Sequence, residues 1–201
     1  MTTTSFDSGA IIGAPVPGRL FPAALGIVLA WEGGGQVTDD PLDPGGITRW
    51  GISLAFLRRV DPQANPAQIR KLTRDDAAAL YAAQFWQPLR ADLLPPALAL
   101  FAFDTAVNLG VPRAARLLQQ AVGTAPDGVI GPRSLSAAAA VAERPQRLID
   151  ALGDMAVGRM QIYVTRPGFP RFGRGWMRRV FDLHARALVL TGPRGVEREA
   201  V

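Results

Sequence analysis

The segment from residue 31 to residue 53, WEGGGQVTDDPLDPGGITRWGIS, decides the fold prediction. It follows an apolar stretch whose spacing predicts a helix over 19–32, and the three consecutive glycines after Glu32 end that helix. The following stretch, 36–50, is rich in turn-forming and β-branched residues. This pattern predicts a short β-hairpin or a structured loop after the first helix.

Helical patterns dominate the rest of the chain, so the sequence predicts a mainly α fold with a small β element. Ser53 and Thr73 have the positions of helix N-caps, and several prolines stand where a first helical turn is expected. We expect the segment 166–176 to be a loop because it contains glycine and proline at short intervals. The predicted helices cover 54–60, 74–86, 96–108, 112–122, a segment from 132 onward, 145–163 and 176–190.

The composition excludes several classes of catalytic site. The chain has 201 residues, of which 48% are hydrophobic and 19% charged, enough for one domain with a substantial core. Cysteine is absent, which removes disulfides, thiolate nucleophiles and cysteine-bound metals. The single histidine, His184, leaves no basis for a histidine metal cluster. Catalysis must therefore use carboxylates, hydroxyls or the lone lysine, Lys71.

The net charge of +5 suits an anionic polymer: nucleic acid, a membrane surface or peptidoglycan. An ordinary soluble surface explains the same charge. Arginines near the C-terminus could contact the anionic peptide stems of peptidoglycan, or could form a solvated helix face with salt bridges. These arginines are Arg171, Arg174, Arg178 and Arg179.

The longest apolar run, 20–31, is too short to cross a bilayer. No basic segment precedes it and no small-residue cleavage site follows it, so we interpret it as a core helix and not a signal peptide. We therefore expect synthesis in the cytoplasm. Residues 1–18 are expected to form a flexible arm and residues 191–201 a flexible tail.

Glu32 is the candidate general acid. A glutamate at the carbonyl end of a helix faces the negative end of the helix dipole, and its apolar neighbours Leu29 and Trp31 remove water. Both effects favour the protonated form of a carboxyl group, which is what a general acid needs near neutral pH. An ordinary solvated glutamate is the alternative interpretation.

Three aspartates, Asp39, Asp40 and Asp43, follow Glu32 in the turn-rich segment. An ionised carboxylate opposite a protonated one is the arrangement that cleaves a glycosidic bond. We choose Asp43 as the second charge because the following proline and glycines would fix its position. Thr48 is expected to hold a water molecule through its hydroxyl group. Calcium binding by the aspartates is a weaker alternative, since EF-hand spacing is absent.

Four further residues are candidates for contact with substrate. Trp31 and Trp50 could present flat apolar faces to a sugar ring, although core packing is an alternative role for either. Asp104 and Asn108 lie four residues apart in an apolar helix and so share a face. They line a cleft or, in a structural role, cap a neighbouring loop.

The opening segment resembles the N-terminal signature of glycoside hydrolase family 108, lysozyme-like N-acetylmuramidases found among phage endolysins and bacterial secretion activators. The Glu-Gly-Gly start, the Asp-Pro-Gly-Gly-x-Thr turn and the Gly-Ile-Ser end occur in order. A tyrosine expected after the first two glycines is replaced by Gly35. A second block, 101–137, resembles the predicted peptidoglycan domain that accompanies this family, and the resemblance extends over about 20–185.

The resemblance implies a lysozyme-like fold and cleavage of the β-1,4 bond between N-acetylmuramic acid and N-acetylglucosamine. Glu32 matches the family's catalytic glutamate, and Asp43 and Thr48 match motif positions. We expect a catalytic lobe over 19–95 and a helical lobe over 96–190, packed as one fold. We expect no metal or organic cofactor.

The expected partner is peptidoglycan, with no nucleic acid and no integral membrane span. The protein is expected to be a monomer that acts on the cell wall in the periplasm or outside the cell, with export through a holin as one route. A non-catalytic peptidoglycan-binding or secretion-assisting protein of the same fold is the alternative. A basic nucleic-acid binder and a transglycosylase are further rivals.

Overall fold

The computed structural model describes residues 18–40 and 45–191. The predicted arm and tail therefore lie almost wholly outside the described residues. Contacts between residues divide the described chain into two units. The first unit contains 25–40 and 45–83, and the second contains 18–24 and 84–191.

The first unit contains the C-terminal part of the first helix and a small sheet. Helix α1 spans Leu20–Trp31 and is followed by three two-residue strands. The strands form an antiparallel sheet in the order β1-β2-β3. Its position after the first helix confirms the predicted β element. The strands are β1 (Val37–Thr38), β2 (Thr48–Arg49) and β3 (Ile52–Ser53).

Three short helices complete the first unit, and each begins at a side-chain cap. The side chains of Ser53, Asn65 and Thr73 accept hydrogen bonds from main-chain N–H groups of the first turn. The caps at Ser53 and Thr73 confirm the predictions made from the sequence, whereas the helix after Asn65 was not predicted. The helices are α2 (Leu54–Val60), α3 (Pro66–Lys71) and α4 (Arg74–Tyr81), and a π-helical turn, Ala82–Trp86, follows α4.

The second unit is a helical assembly around one apolar helix. A 3-10 turn over Ala91–Leu93 leads into five helices, each with a proline in its first turn. These helices are α5 (Pro96–Leu109), α6 (Val111–Ala121), α7 (Pro132–Ala142), α8 (Pro145–Val164) and α9 (Phe169–Val189).

Helix α5 forms the centre of the second unit. Of its 14 residues, 11 are buried, and it packs against α6, α8 and α9. Phe103 from α5 meets Phe21 and Trp86 edge-on, with ring centroids 5.8 and 5.2 Å away. These contacts place residues 18–24 and 84–95 with the second unit, a division that differs from the predicted lobe boundary at residue 95.

The predicted loop over 166–176 is wrong for most of its length, because α9 already begins at Phe169. Pro170 stands in the first turn, where a proline is tolerated. Gly173 faces Phe169 one turn earlier, and a Cβ at Gly173 would lie 2.6 Å from that ring. The glycine therefore allows a close side-chain contact within the helix and does not end it.

The described residues confirm a mainly α, lysozyme-like fold with a small β element. No helix among residues 18–40 and 45–191 combines the length and apolar character needed to span a membrane.

Candidate active site

Glu32 is the C-cap of α1. The N–H of Gly34 donates to the carbonyl of Leu29 at 3.0 Å, which is the closing bond of a Schellman motif. Gly33 and Gly34 have φ angles of 79° and 65°, in the left-handed region, and a Cβ on either would meet open space. Backbone conformation, and not crowding, therefore requires glycine there. The predicted end of the helix at Glu32 is confirmed.

The turn between β2 and β3 packs directly against the side chain of Glu32. Trp50 and Gly51 have φ angles of 54° and 73°, so two consecutive residues are left-handed. A Cβ on Gly51 would lie 2.9 Å from both Cβ and Cγ of Glu32 and 2.4 Å from the hydroxyl oxygen of Tyr81. Glycine is required at this position by both conformation and space. The stem of Glu32 is thus confined by main chain.

Tyr81 fixes the same turn from the end of α4. Its hydroxyl group donates to the main-chain carbonyl of Trp50 at 3.1 Å, and the residue is only 1% exposed. The hydroxyl oxygen and the Glu32 stem both border the space beside Gly51. Sequence reasoning missed Tyr81. The one sequence signal for this role is that the hydroxyl group of a tyrosine on the buried face of a helix needs a hydrogen-bond acceptor.

Trp50 and Arg49 hold the glycine segment that follows Glu32. A Cβ on Gly35 would lie 2.4 Å from the indole ring of Trp50, so the ring occupies the space of a side chain at position 35. The indole N–H donates to the carbonyl of Leu72 at 3.1 Å, and Nε of Arg49 donates to the carbonyl of Gly35 at 3.0 Å. Trp50 is half-buried, so packing and sugar contact are both compatible with its position.

Thr48 lies in the middle strand of the sheet and is half-buried. It is paired with Thr38 on one side and Ser53 on the other. Its hydroxyl group donates to the carbonyl of Gly46 at 3.0 Å, which leaves the oxygen lone pairs as acceptors. The predicted contact with a catalytic water stays a prediction.

The three candidate partner carboxylates differ in what the structure describes. Asp39 is exposed and pairs with Arg70 at 2.8 Å. Asp40 is also exposed. Asp43, the predicted second charge, lies outside the described residues. Its assignment therefore stays a prediction from the motif.

Two family models match the chain in succession. The glycosyl hydrolase 108 model matches residues 25–110, and the model described as a predicted peptidoglycan domain matches residues 113–181. A solved structure, titled "Structure of Brucella abortus SagA", is 31% identical over 85% of this chain and 95% of that chain, with a TM-score of 0.75. The chain belongs to glycosyl hydrolase family 108. No curated protein matches it.

Membership of family 108 together with the second domain makes the protein a glycoside hydrolase that acts on peptidoglycan. The first model includes Glu32, Thr48 and all of α5. The second model begins within α6 and ends within α9. The boundary between the two models, at residues 111–112, differs from the division by contacts, because α5 packs with the helices that follow it.

The side chain of Asp104 lacks the exposure that contact with a substrate requires. It is 0% exposed and lies between two arginines. Nη1 of Arg159 donates to Oδ1 at 2.7 Å, and Nη2 of Arg179 donates to Oδ2 at 2.7 Å. The prediction of substrate binding by Asp104 is contradicted by this burial, and the alternative structural role accounts for its contacts.

Asn108 lies one turn beyond Asp104 and is half-buried. Its amide donates to the main-chain carbonyl of Asp104 at 2.9 Å, as expected for residues four apart in a helix. Trp31, the last residue of α1, is half-buried and directly precedes Glu32. Substrate contact by Asn108 and Trp31 stays a prediction.

Proposed function

We propose that the protein is an N-acetylmuramidase that cleaves the β-1,4 bond between N-acetylmuramic acid and N-acetylglucosamine, with Glu32 as general acid. The observation that supports this proposal is the placement of Glu32 at the carbonyl end of α1, with its stem against the Trp50–Gly51 turn. Glu32 is half-buried and its stem is held by main chain, and a positioned carboxyl group is what general acid catalysis needs.

In the proposed reaction, Glu32 gives its proton to the glycosidic oxygen as the bond to the anomeric carbon breaks. A water molecule attacks the anomeric carbon from the opposite face, and its proton passes to a carboxylate. We assign that carboxylate to Asp43, and we assign Thr48 to the orientation of the water. Direct attack by a carboxylate, with a covalent intermediate, is the less favoured course of the same cleavage.

Trp31 and Trp50 are the proposed contacts with the sugar rings. Both residues are half-buried in the first unit, and neither is fully enclosed by the core. Trp50 is additionally fixed by its bond to Leu72, which gives the ring a defined orientation. A fixed aromatic face costs little conformational entropy when a sugar binds.

The decisive experiment is muropeptide analysis of purified sacculi digested by the protein and by Glu32→Gln. Glutamine keeps the size of the side chain but has no proton to donate, so we expect the cleavage rate to fall by about 10²–10⁴-fold. Mass spectrometry should find reducing N-acetylmuramic acid ends. Anhydro ends would show a transglycosylase instead.

Glu143→Gln is the matched control for Glu32→Gln. Glu143 is also the C-cap of a helix, α7, but it is exposed and belongs to the second unit. This variant should digest sacculi at the unchanged rate. Equal rates for Glu32→Gln and the unaltered protein would contradict the assignment, and sacculus binding without new reducing ends would support the non-catalytic alternative.

We propose an endolysin role, in which the protein reaches the cell wall during lysis through a holin pore. The support for this role is the resemblance of the 31–53 segment to phage enzymes. Expression in the cytoplasm should lyse cells only when a holin is expressed as well, and culture turbidity measures the outcome. Lysis without a holin would point to another export route.

A further inference from the structure

A cavity of about 500 Å³ lies in the second unit, between the end of α6 and the start of α7. Its walls come from the connecting segment 122–131 and the first turn of α7. Ala125, Val129 and Pro132 supply apolar surface, and Asp127 and Arg133 supply opposite charges. None of the residues that line the cavity is aromatic.

Gln119 holds the wall of this cavity in one conformation. Its side-chain oxygen accepts the N–H of Gly128 at 2.9 Å. Its side-chain nitrogen lies 2.7 Å from Oδ1 of Asp127 and 3.0 Å from the carbonyl of Val129. Gln119 is 1% exposed, so these bonds are sheltered from water. The cavity is therefore formed before any ligand arrives, which lowers the entropic cost of binding.

The cavity carries a fixed negative charge at Asp127. The side-chain amide of Gln119 and the main-chain N–H of Val129 hold the pKa of the Asp127 carboxyl group below its usual 3.8. Both of these bonds end on Oδ1. Asp127 is exposed, so its carboxylate can receive a cationic group of a ligand.

The positive charge comes from Arg133, which is exposed and forms no ion pair with the described residues. The cavity therefore presents a carboxylate and a guanidinium group beside apolar surface. A ligand that complements both charges carries an ammonium group and a carboxylate on a short, partly apolar backbone.

We propose that this cavity binds the peptide stem of peptidoglycan, with an ammonium group of the stem at Asp127 and a carboxylate of the stem at Arg133. The proposal rests on the action of this family 108 protein on peptidoglycan. A glycan strand without stems is a poorer match, because the lining has no aromatic face for a sugar ring and an N-acetylated glycan has no ammonium group to meet Asp127.

The test uses two soluble probes and the full-length, isotope-labelled protein. The tripeptide N-acetyl-L-alanyl-γ-D-glutamyl-meso-diaminopimelate carries the charges of a stem, because its N-terminus is blocked as it is in peptidoglycan. A stem-free glycan strand carries lactyl carboxylates but no ammonium group. We expect the tripeptide to cause saturable amide shifts in residues 124–134 and the glycan to leave those amides unchanged. Because the tripeptide has no glycosidic bond, this result is independent of whether Glu32 cleaves peptidoglycan.

Two variants and a control assign the contacts. Asp127→Asn keeps an oxygen for Gln119 and removes the charge, and Arg133→Gln removes the guanidinium group. Each should weaken tripeptide binding about three- to tenfold, the range expected for loss of one partly exposed charged contact. Arg144→Gln removes an exposed arginine of the second unit that does not line the cavity, and should bind as the unaltered protein does.

The proposal is overturned if the tripeptide causes no saturable shift in residues 124–134. It is also overturned if all three variants bind the tripeptide equally, since the charges of the cavity would then play no part. Shifts of the same amides by the stem-free glycan alone would assign the cavity to the sugar chain, and the stem proposal would again be wrong.

Discussion

In the first unit, side-chain donors reach main-chain carbonyls of turns, whereas in the second unit two guanidinium groups surround a buried carboxylate. Tyr81 donates to Trp50, and Trp50 donates to Leu72. In the second unit, Arg159 and Arg179 converge on Asp104. The first arrangement fixes the path of a backbone beside Glu32, and the second joins three helices. The comparison separates residues that shape the site from residues that stabilise the fold.

Asp104→Ala should have the largest effect on stability. The substitution leaves two guanidinium groups, of which Arg159 is 0% exposed, without a carboxylate. Removing one partner of a buried ion pair costs about 3–5 kcal/mol of unfolding free energy. Urea denaturation followed by circular dichroism measures this loss.

Asp150→Ala is the matched control, because Asp150 pairs with Arg147 at 3.8 Å on the surface of α8. Its loss should cost less than about 1 kcal/mol. The comparison fails if the two aspartate variants lose equal stability. Full stability with lost cleavage in Asp104→Ala would instead restore the predicted role in substrate binding.

Gly51→Ala and Gly33→Ala test the turn beside Glu32. Both glycines are left-handed, so either alanine costs about 1–2 kcal/mol of backbone strain. A Cβ at Gly33 meets nothing, but a Cβ at Gly51 would overlap Glu32 and Tyr81. Overlap adds about 1–3 kcal/mol and displaces the Glu32 stem. Gly51→Ala should therefore have a lower melting temperature than Gly33→Ala. It should also clear a turbid suspension of sacculi more slowly.

Equal losses of stability and activity in the two glycine variants would contradict this account. That result would mean that backbone strain alone, and not contact with Glu32, explains the glycine at position 51. The turn would then have no part in positioning Glu32.

The smallest effect concerns the pH dependence of Asp127→Asn. The pKa of the folded carboxyl group is lowered, so Asp127 contributes stability above its usual pKa of 3.8 and loses it as pH falls through the lower, folded pKa. The melting temperatures of the two proteins should therefore differ most at neutral pH and converge below pH 3.8. Differential scanning calorimetry from neutral to acidic pH measures the difference.

The background variant Gln119→Leu sharpens this test, because hydrogen bonding to Gln119 is the main cause of the lowered pKa. In that background, Asp127→Asn should change the melting temperature less at neutral pH. An unchanged difference would assign the shift to another neighbour of Asp127.

The sequence predicted best those features that depend on neighbouring residues. The caps at Ser53 and Thr73 and the helix end at Glu32 each follow from a local pattern of turn and helix chemistry. The glycine-rich start of α9 was misassigned because Gly173 is explained by the ring of Phe169, a contact that composition does not reveal.

Long-range contacts explain what the sequence could not predict. Asp104 was recognisable as a polar residue in an apolar helix, but its arginine partners lie 55 and 75 residues away. Tyr81 acts on Trp50 across 31 residues. Glu32 was recognisable from its motif as the candidate general acid. The confinement of its side chain, in contrast, depends on contacts that form only when α4 and the sheet come together.

Gly35 packs closely against the ring of Trp50, so the side chain allowed at one of these positions depends on the residue at the other. The ring of Trp50 fills the volume where a side chain at position 35 would begin. A tyrosine at position 35, as the family signature leads one to expect, is compatible only with a chain whose residue 50 carries its ring elsewhere. A side chain at position 35 therefore needs a change at position 50, and we expect a tyrosine at position 35 to be accommodated only when both positions are substituted together.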